Sequence, residues 1–161
     1  MHRQLLITLT TIVILVFANT TATAQNSERD NLKGIGPLDL IIEALQPDLE
    51  RGQLTRAMLQ TVVEDRLHQS DIALSKTADP YIYLNVNSFA INKDFYAYSI
   101  DLHVNASVML AETGQVTVAT IWSVAALGRV SSTRLPTIIN DVINQVDKLA
   151  NDYVAVNPIQ P

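Results

Sequence analysis

The chain of 161 residues contains no cysteine. That excludes disulfides as a source of stability and a thiolate as a nucleophile. Cations are also scarce, with 11 Lys and Arg against 16 Asp and Glu and a net charge of −5. Between Pro80 and Gly128 the lone Lys or Arg is Lys93. Phosphate contacts need clustered Lys and Arg, so neither a nucleic-acid footprint nor a polybasic membrane-surface site is expected. There are three histidines, too few and too scattered for an obvious metal site. What the chain has instead is apolar residues: 48% are hydrophobic and 17% charged, which argues for a folded domain with one core.

The longest apolar run is at the start. His2 and Arg3 form a short basic beginning, and Leu5 to Ala18 is apolar except for Thr8, Thr10 and Thr11. Those 14 residues fall short of the roughly 20 that a helix needs to span a bilayer. Ala22-Thr23-Ala24 satisfies the small-x-small rule of a signal peptidase, so residues 1–24 are expected to be an export signal cleaved after Ala24. Cleavage removes Arg3 and no acid, taking the net charge from −5 to −6. Without cysteine there is also no residue to lipidate, so no stable membrane anchor is expected after cleavage. The signal and the cysteine-free chain together point to the bacterial periplasm.

The scaffold is most legible from Tyr81 to Gly128, where three consecutive runs have the period-two alternation of strands. In Tyr81–Ile91, Ile82, Leu84, Val86 and Ala90 lie on one side and Tyr83, Asn85 and Asn87 on the other. In Phe95–Leu110, Tyr96, Tyr98, Ile100, Leu102, Val104, Ala106, Val108 and Leu110 share one parity. Ser99, Asp101, His103, Asn105 and Ser107 take the opposite one. Gln115–Leu127 is the third run, bounded by Glu112-Thr113-Gly114 and Gly128.

Around that unit, residues 25–36 are expected to be a flexible polar leader, 37–154 the α+β domain and 155–161 a tail. Gly34-Ile35-Gly36-Pro37 is a turn. It lacks the Gly-Lys-Ser/Thr ending of a phosphate loop, and Pro37 removes a backbone donor. Leu38–Leu45 suits a first strand or a short helix, and Gln46–Gly52 a loop. Gln53–Gln69 has helical spacing, with Leu54, Ala57, Met58 and Val62 beside Leu59, Val63 and Leu67. Ile72–Leu74 is a short strand. Arg129–Leu135 is a connector, after which Pro136 suits a helix start. Ile138, Ile139, Val142, Ile143, Val146, Leu149, Ala150 and Tyr153 follow the i, i+3, i+4, i+7 rule of a second amphipathic helix. Two oily stripes and one oily sheet face predict a two-layer α+β sandwich: an antiparallel sheet of four or five strands with two amphipathic helices on one face. The other face is left for solvent or a partner.

Candidate chemistry is thin. Asp101-x-His103 puts a carboxylate and an imidazole on one sheet face, but His68, the other histidine beyond the signal, belongs to the helix layer. A metal would want more converging ligands. Ser99, Asp101 and His103 share a face, yet successive same-face residues on a strand are about 7 Å apart, too far for a hydrogen-bonded relay without a neighbouring strand. Glu64 and Asp65 point about 100° apart on a helix and do not converge as a catalytic carboxylate pair would. No catalytic residue, metal or cofactor is therefore assigned.

The aromatics say more, because Tyr81, Tyr83, Phe89, Phe95, Tyr96, Tyr98 and Trp122 all fall on the three strands. Tyr81, Tyr83 and Phe89 oppose the Ile82/Leu84/Val86 parity. With Asp101 and His103 they make a candidate interaction face.

The order strand, amphipathic helix, antiparallel meander, terminal helix resembles a class of small bacterial envelope proteins: the outer-membrane lipopolysaccharide-assembly lipoprotein and the auxiliary lipoproteins of ABC-type transporters. The closing run Asn151-Asp152-Tyr153-Val154-Ala155-Val156-Asn157-Pro158 is similar to the end of uncharacterised exported proteobacterial proteins. The resemblance implies an α/β sandwich in the envelope. It transfers no functional residue, and the N-terminal cysteine of the lipoproteins is missing here. The expected function is a non-catalytic periplasmic module that binds a protein or envelope component. A carrier of a small apolar ligand between helices and sheet is the first alternative, and an enzyme using the Asp101/His103 face the second.

Overall fold

The computed structural model describes residues 28–158, so the export signal read on residues 1–24 and residues 159–161 of the tail lie outside the described part. The elements in chain order are β1 (Asp39–Ile42), α1 (Pro47–Arg51), α2 (Arg56–Gln69), β2 (Tyr81–Ala90), β3 (Phe95–Met109), β4 (Val116–Ser131), a 3-10 segment (Ser132–Thr137) and α3 (Ile138–Val156). The four strands form one sheet in the order β1-β2-β3-β4.

The meander forms as its alternation predicts. β2 and β3 pair antiparallel from Tyr81↔Asn105 to Ala90↔Tyr96, and β3 and β4 from Phe95↔Ser131 to Met109↔Val116. Each hairpin has its own turn chemistry. The Asn92 Oδ1 accepts from the amides of Asp94 and Phe95 at 2.9 and 3.0 Å, an Asx turn that closes β2–β3. Gly114 has φ 67°, and its amide donates to the Leu110 carbonyl at 2.8 Å to close β3–β4. Glycine takes that left-handed conformation without steric cost.

Val86, Ile82, Leu84, Ile100, Leu102, Val104 and Trp122 face inward and are buried. Leu59, Val63 and Leu67 of α2 and Ile138, Val142, Val146, Leu149 and Ala150 of α3 complete the same cluster. Each fully buried Leu, Ile or Val contributes about 1.5–3 kcal/mol of transfer free energy. Both helices therefore lie on one face of the sheet, as expected for a two-layer α+β sandwich. Polar contacts clasp the layers. Arg66 pairs with both carboxylate oxygens of Asp147, joining α2 to α3. The Trp122 indole donates to Asp152 at 3.0 Å, and the Tyr98 hydroxyl donates to Asp141.

Several expectations change. The sheet is mixed, because β1 pairs with β2 in parallel. Alternation carries no information about strand direction, but two helices separate β1 from β2. A helical crossover returns the chain in the same direction. Gln46–Gly52 is not a plain loop. Pro47 opens the short helix α1, with Asp48 and Glu50 in its first turn, and Leu49 is buried. The second helix starts at Arg56, where the Thr55 hydroxyl accepts from the Met58 amide at 3.2 Å. Its covered line is Leu59, Val63 and Leu67, while Met58 is 40% exposed. α2 packs beside β1 at the sheet edge and against α3, so one line of side chains is enough. The short strand Ile72–Leu74 is a single parallel bridge, Leu38↔Leu74.

Gly128 does not end the third strand. β4 runs through it to Ser131, and a Cβ at that position would lie 2.2 Å from the Tyr98 hydroxyl. The glycine is there because the ring of its cross-strand partner lies across it. The polar leader is pinned from Glu28 onward. Leu32 is fully buried, and Asn157 accepts from the Gly34 amide at 2.7 Å and donates to the Leu32 carbonyl at 2.8 Å.

Candidate functional site

With both helices on one side, no helix among the described residues covers the other side of the sheet. β2 and β3 send their odd-numbered side chains there. β4 does the same from Ser123 to Arg129. The register sets the rows: Tyr83–His103–Ser123, then Asn85–Asp101–Ala125, then Asn87–Ser99–Leu127, then Phe89–Ala97–Arg129. Tyr81 opposes Asn105 at one end. All five residues singled out from the sequence, Tyr81, Tyr83, Phe89, Asp101 and His103, thus lie on this one face. Phe89 is 73% exposed, whereas Tyr81 and Tyr83 are half-buried.

The face holds apolar residues that sequence reasoning did not assign to it. Leu127 is 87% exposed, Ile41 of β1 stands beside Tyr83, and the Arg129 guanidinium lies 4.5 Å from the centre of the Phe95 ring. A glycine at 128 reads as the strand's end and hides Leu127, whose parity with Ser123 and Ala125 nonetheless points it to this face. Phe89 and Leu127 flank an open depression of about 240 Å³ floored by the small residues Ala97 and Ser99. The remaining aromatics turn inward: Trp122 is buried, and Tyr96 and Tyr98 pack against the core.

A second exposed apolar region lies beyond the end of β2. There β3 and β4 continue alone as a two-stranded ribbon. A bulge at Ile121 opposite Val104/Asn105 shifts the register, so that Met109, Val116 and Val118 share the outward face and are exposed. The Asp79 carboxylate holds the base of this ribbon by accepting from the Ser107 amide at 3.0 Å. The Ser107 side chain and amide together hold the Asp79 carboxyl below its usual range.

The polar groups do not assemble into a relay. His103 has Asp101 two residues away on its own strand and Ser123 directly opposite on β4. The Ser123 amide and hydroxyl are turned instead to the Glu28 carboxylate, at 3.3 and 3.5 Å. Among the described residues no hydrogen bond joins His103 to Asp101 or to Ser123. His68 is elsewhere, in a depression of about 270 Å³ between α2 and the edge of β1. Glu64 is engaged by Gln60 at 2.8 Å. Among the described residues no group of three or more His, Asp or Glu is placed to hold a metal ion. The strongest pKa perturbation lies inside the core layer. Burial, then the hydrogen bond to Asp141 and its charge, push the Tyr98 hydroxyl up to about 12. Burial likewise raises Tyr153, whose hydroxyl donates to the Ile35 carbonyl at 3.0 Å.

No protein-family model matches this sequence, and no curated protein matches it. Among solved structures, the chain is similar to rare lipoprotein B from Shewanella oneidensis, at 10% identity over 74% of this chain and 96% of that one, with a TM-score of 0.37. It is also similar to a minor lipoprotein from Acinetobacter baumannii, at 16% identity over 80% and 99% with a TM-score of 0.31. A lipoprotein from Neisseria meningitidis matches at 14% identity over 71% and 99%, with a TM-score of 0.29. All three are described as lipoproteins.

Proposed function

We propose that the protein is an exported, non-catalytic binding module that meets a protein of the bacterial envelope through the bare face of its sheet. The observation that carries this reading is the composition of that face. Exposed Phe89 and Leu127 stand with half-buried Tyr81 and Tyr83, around Asp101 and His103. Apolar anchors, among them Tyr, ringed by polar groups are what a binding patch requires. The carrier reading finds less support. The layer between helices and sheet is taken up by packed side chains such as Val63, Leu102, Val142 and Val146, and the depressions described open at the surface. The periplasmic location rests on the signal-like residues 1–24.

A photo-crosslinking amino acid at Tyr83 or at Phe89, introduced in the native host, tests the face directly. The expected result is a discrete adduct with an envelope protein at those two positions and none at Asn144, an exposed position on α3. Adducts of equal yield at Asn144, or none at either sheet position, would sink the proposal. Recovery of the chain from the cytoplasmic fraction would remove the export half of it.

A further inference from the structure

The outer edge of the sheet carries a separate signal. Phe95 directs its backbone groups to β2, since its carbonyl accepts from the Ile91 amide at 2.9 Å. The neighbouring β3 residue, Tyr96, therefore bonds to β4. Alternation along an antiparallel ladder then gives Val130, Gly128, Ala126 and Val124 to β3 and turns the N–H and C=O groups of Ser131, Arg129, Leu127 and Ala125 outward. Farther along, the same edge is guarded. The Glu28 carboxylate takes the Ser123 amide, and the Asn31 side-chain amide donates to the Ile121 carbonyl at 3.0 Å. From Ala125 to Arg129 no hydrogen bond among the described residues meets the outward groups. Natural edge strands are blunted by lysine, proline, bulges or a covering segment. This stretch has only Arg129, whose guanidinium is drawn aside over Phe95.

We infer that the free edge of β4 pairs with the same edge of a second copy, antiparallel about a two-fold axis at Leu127, to join two sheets into one of eight strands. The register follows from which residues face out. Leu127 meets Leu127 of the second copy, and Ala125 meets Arg129 in both directions. Three such bonded pairs exchange about six backbone hydrogen bonds. The side chains agree with this register. The most exposed large apolar residue, Leu127 at 87%, is covered by its own copy. Arg129 lies against the small Ala125 of the second copy, and the next residue in that row is Asp101 of the second copy. Strands about 4.8 Å apart put Arg129 and that Asp101 about 10 Å apart at Cα, a span an extended arginine bridges across an alanine methyl once its guanidinium swings off the Phe95 ring. Among the described residues neither Asp101 nor Arg129 forms an ion pair within its own chain. The same contact supplies two symmetric ion pairs and brings no like charges together. It uses the strand edge with Leu127 and Asp101 of the bare face, leaves Tyr81, Tyr83 and Phe89 uncovered, and does not rest on the envelope-partner reading. A strictly monomeric protein would leave crosslinks at Tyr83 untouched.

Sedimentation equilibrium of the protein recovered from the periplasm is the test. The expected result is a dimer that dissociates on dilution. Leu127→Pro removes an N–H that β3 does not use and blocks the edge, so the dimer is lost while the circular dichroism of the monomer is kept. Should that variant misfold, charge exchange decides. Asp101→Arg and Arg129→Asp alone each weaken the dimer about tenfold, and the two together bring it back to within about threefold of the starting affinity. A monomer at every concentration up to about 1 mM overturns the inference. A dimer indifferent to the charge exchange overturns it equally.

Discussion

Tyr98 and Gly128 form a unit in which each residue explains the other. Tyr98 sits on the core side of β3, spreads its ring over Gly128 and donates its hydroxyl to Asp141 on α3. Gly128→Ala would set a methyl 2.2 Å from the hydroxyl oxygen and 2.3 Å from Cζ, so the whole ring must move. A loss of about 1–3 kcal/mol is expected in urea unfolding, the usual range for overpacking. In a Tyr98→Leu background the same change should cost clearly less, and equal costs in both backgrounds would show that the ring is not the obstacle. The hydroxyl makes a separate prediction. Its folded value of about 12 lies above the unfolded value of about 10. Below pH 10 both states hold the proton and stability is unaffected. Between about pH 10 and 12 the unfolded chain loses a proton that the folded one keeps, so stability falls as pH rises. Unfolding curves at pH 9 and 11 should show that fall, and Tyr98→Phe should make it shallower.

The leader shows what an element can do when it has almost no regular structure. Glu28, Asn31 and Leu32 form one helical turn that buries an apolar side chain and offers two polar ones to an exposed strand edge. A carboxylate and an amide there do what a fifth strand would do, over two backbone groups only. Removing both by Glu28→Ala with Asn31→Ala should cost about 1–2 kcal/mol, since the freed backbone groups return to water. Trp122 lies between Ile121 and Ser123 in the chain, so its fluorescence is the natural reporter. Faster hydrogen exchange at the Ser123 amide is the companion observation, and unchanged exchange there would mean the clip does not hold the edge.

Across the whole molecule the two sides of the sheet contrast strongly. One is sealed by α2 and α3 and clasped by Arg66–Asp147, Trp122–Asp152 and Tyr98–Asp141. Among the described residues the other carries no helix, and it presents aromatic and aliphatic side chains among polar and charged ones such as Asp101 and Arg129. A two-layer domain has this asymmetry by construction, because two helices cover only one face of four strands. The crosslinking and sedimentation experiments address the two surfaces it leaves open, the bare face and the free edge.

Alternation and helical spacing were enough to define β2, β3, α3 and the inward parity of Ile82, Leu102 and Val104, because each is set by neighbours within a few residues. The gathering of Tyr81, Tyr83, Phe89, Asp101 and His103 onto one face also follows from parity alone, once the strands pair. What local pattern could not supply was anything that depends on a distant partner. The direction of β1, the run of β4 through Gly128, the docking of the leader and the exposure of Leu127 each depend on residues far away in sequence. A glycine looks like a strand's end until a tyrosine thirty residues earlier in the chain is seen lying across it. A polar leader looks free until the strand edge it completes is in place. The tertiary structure decided these points because hydrogen-bonding groups and apolar surface must find partners in space, and sequence spacing does not record who those partners are.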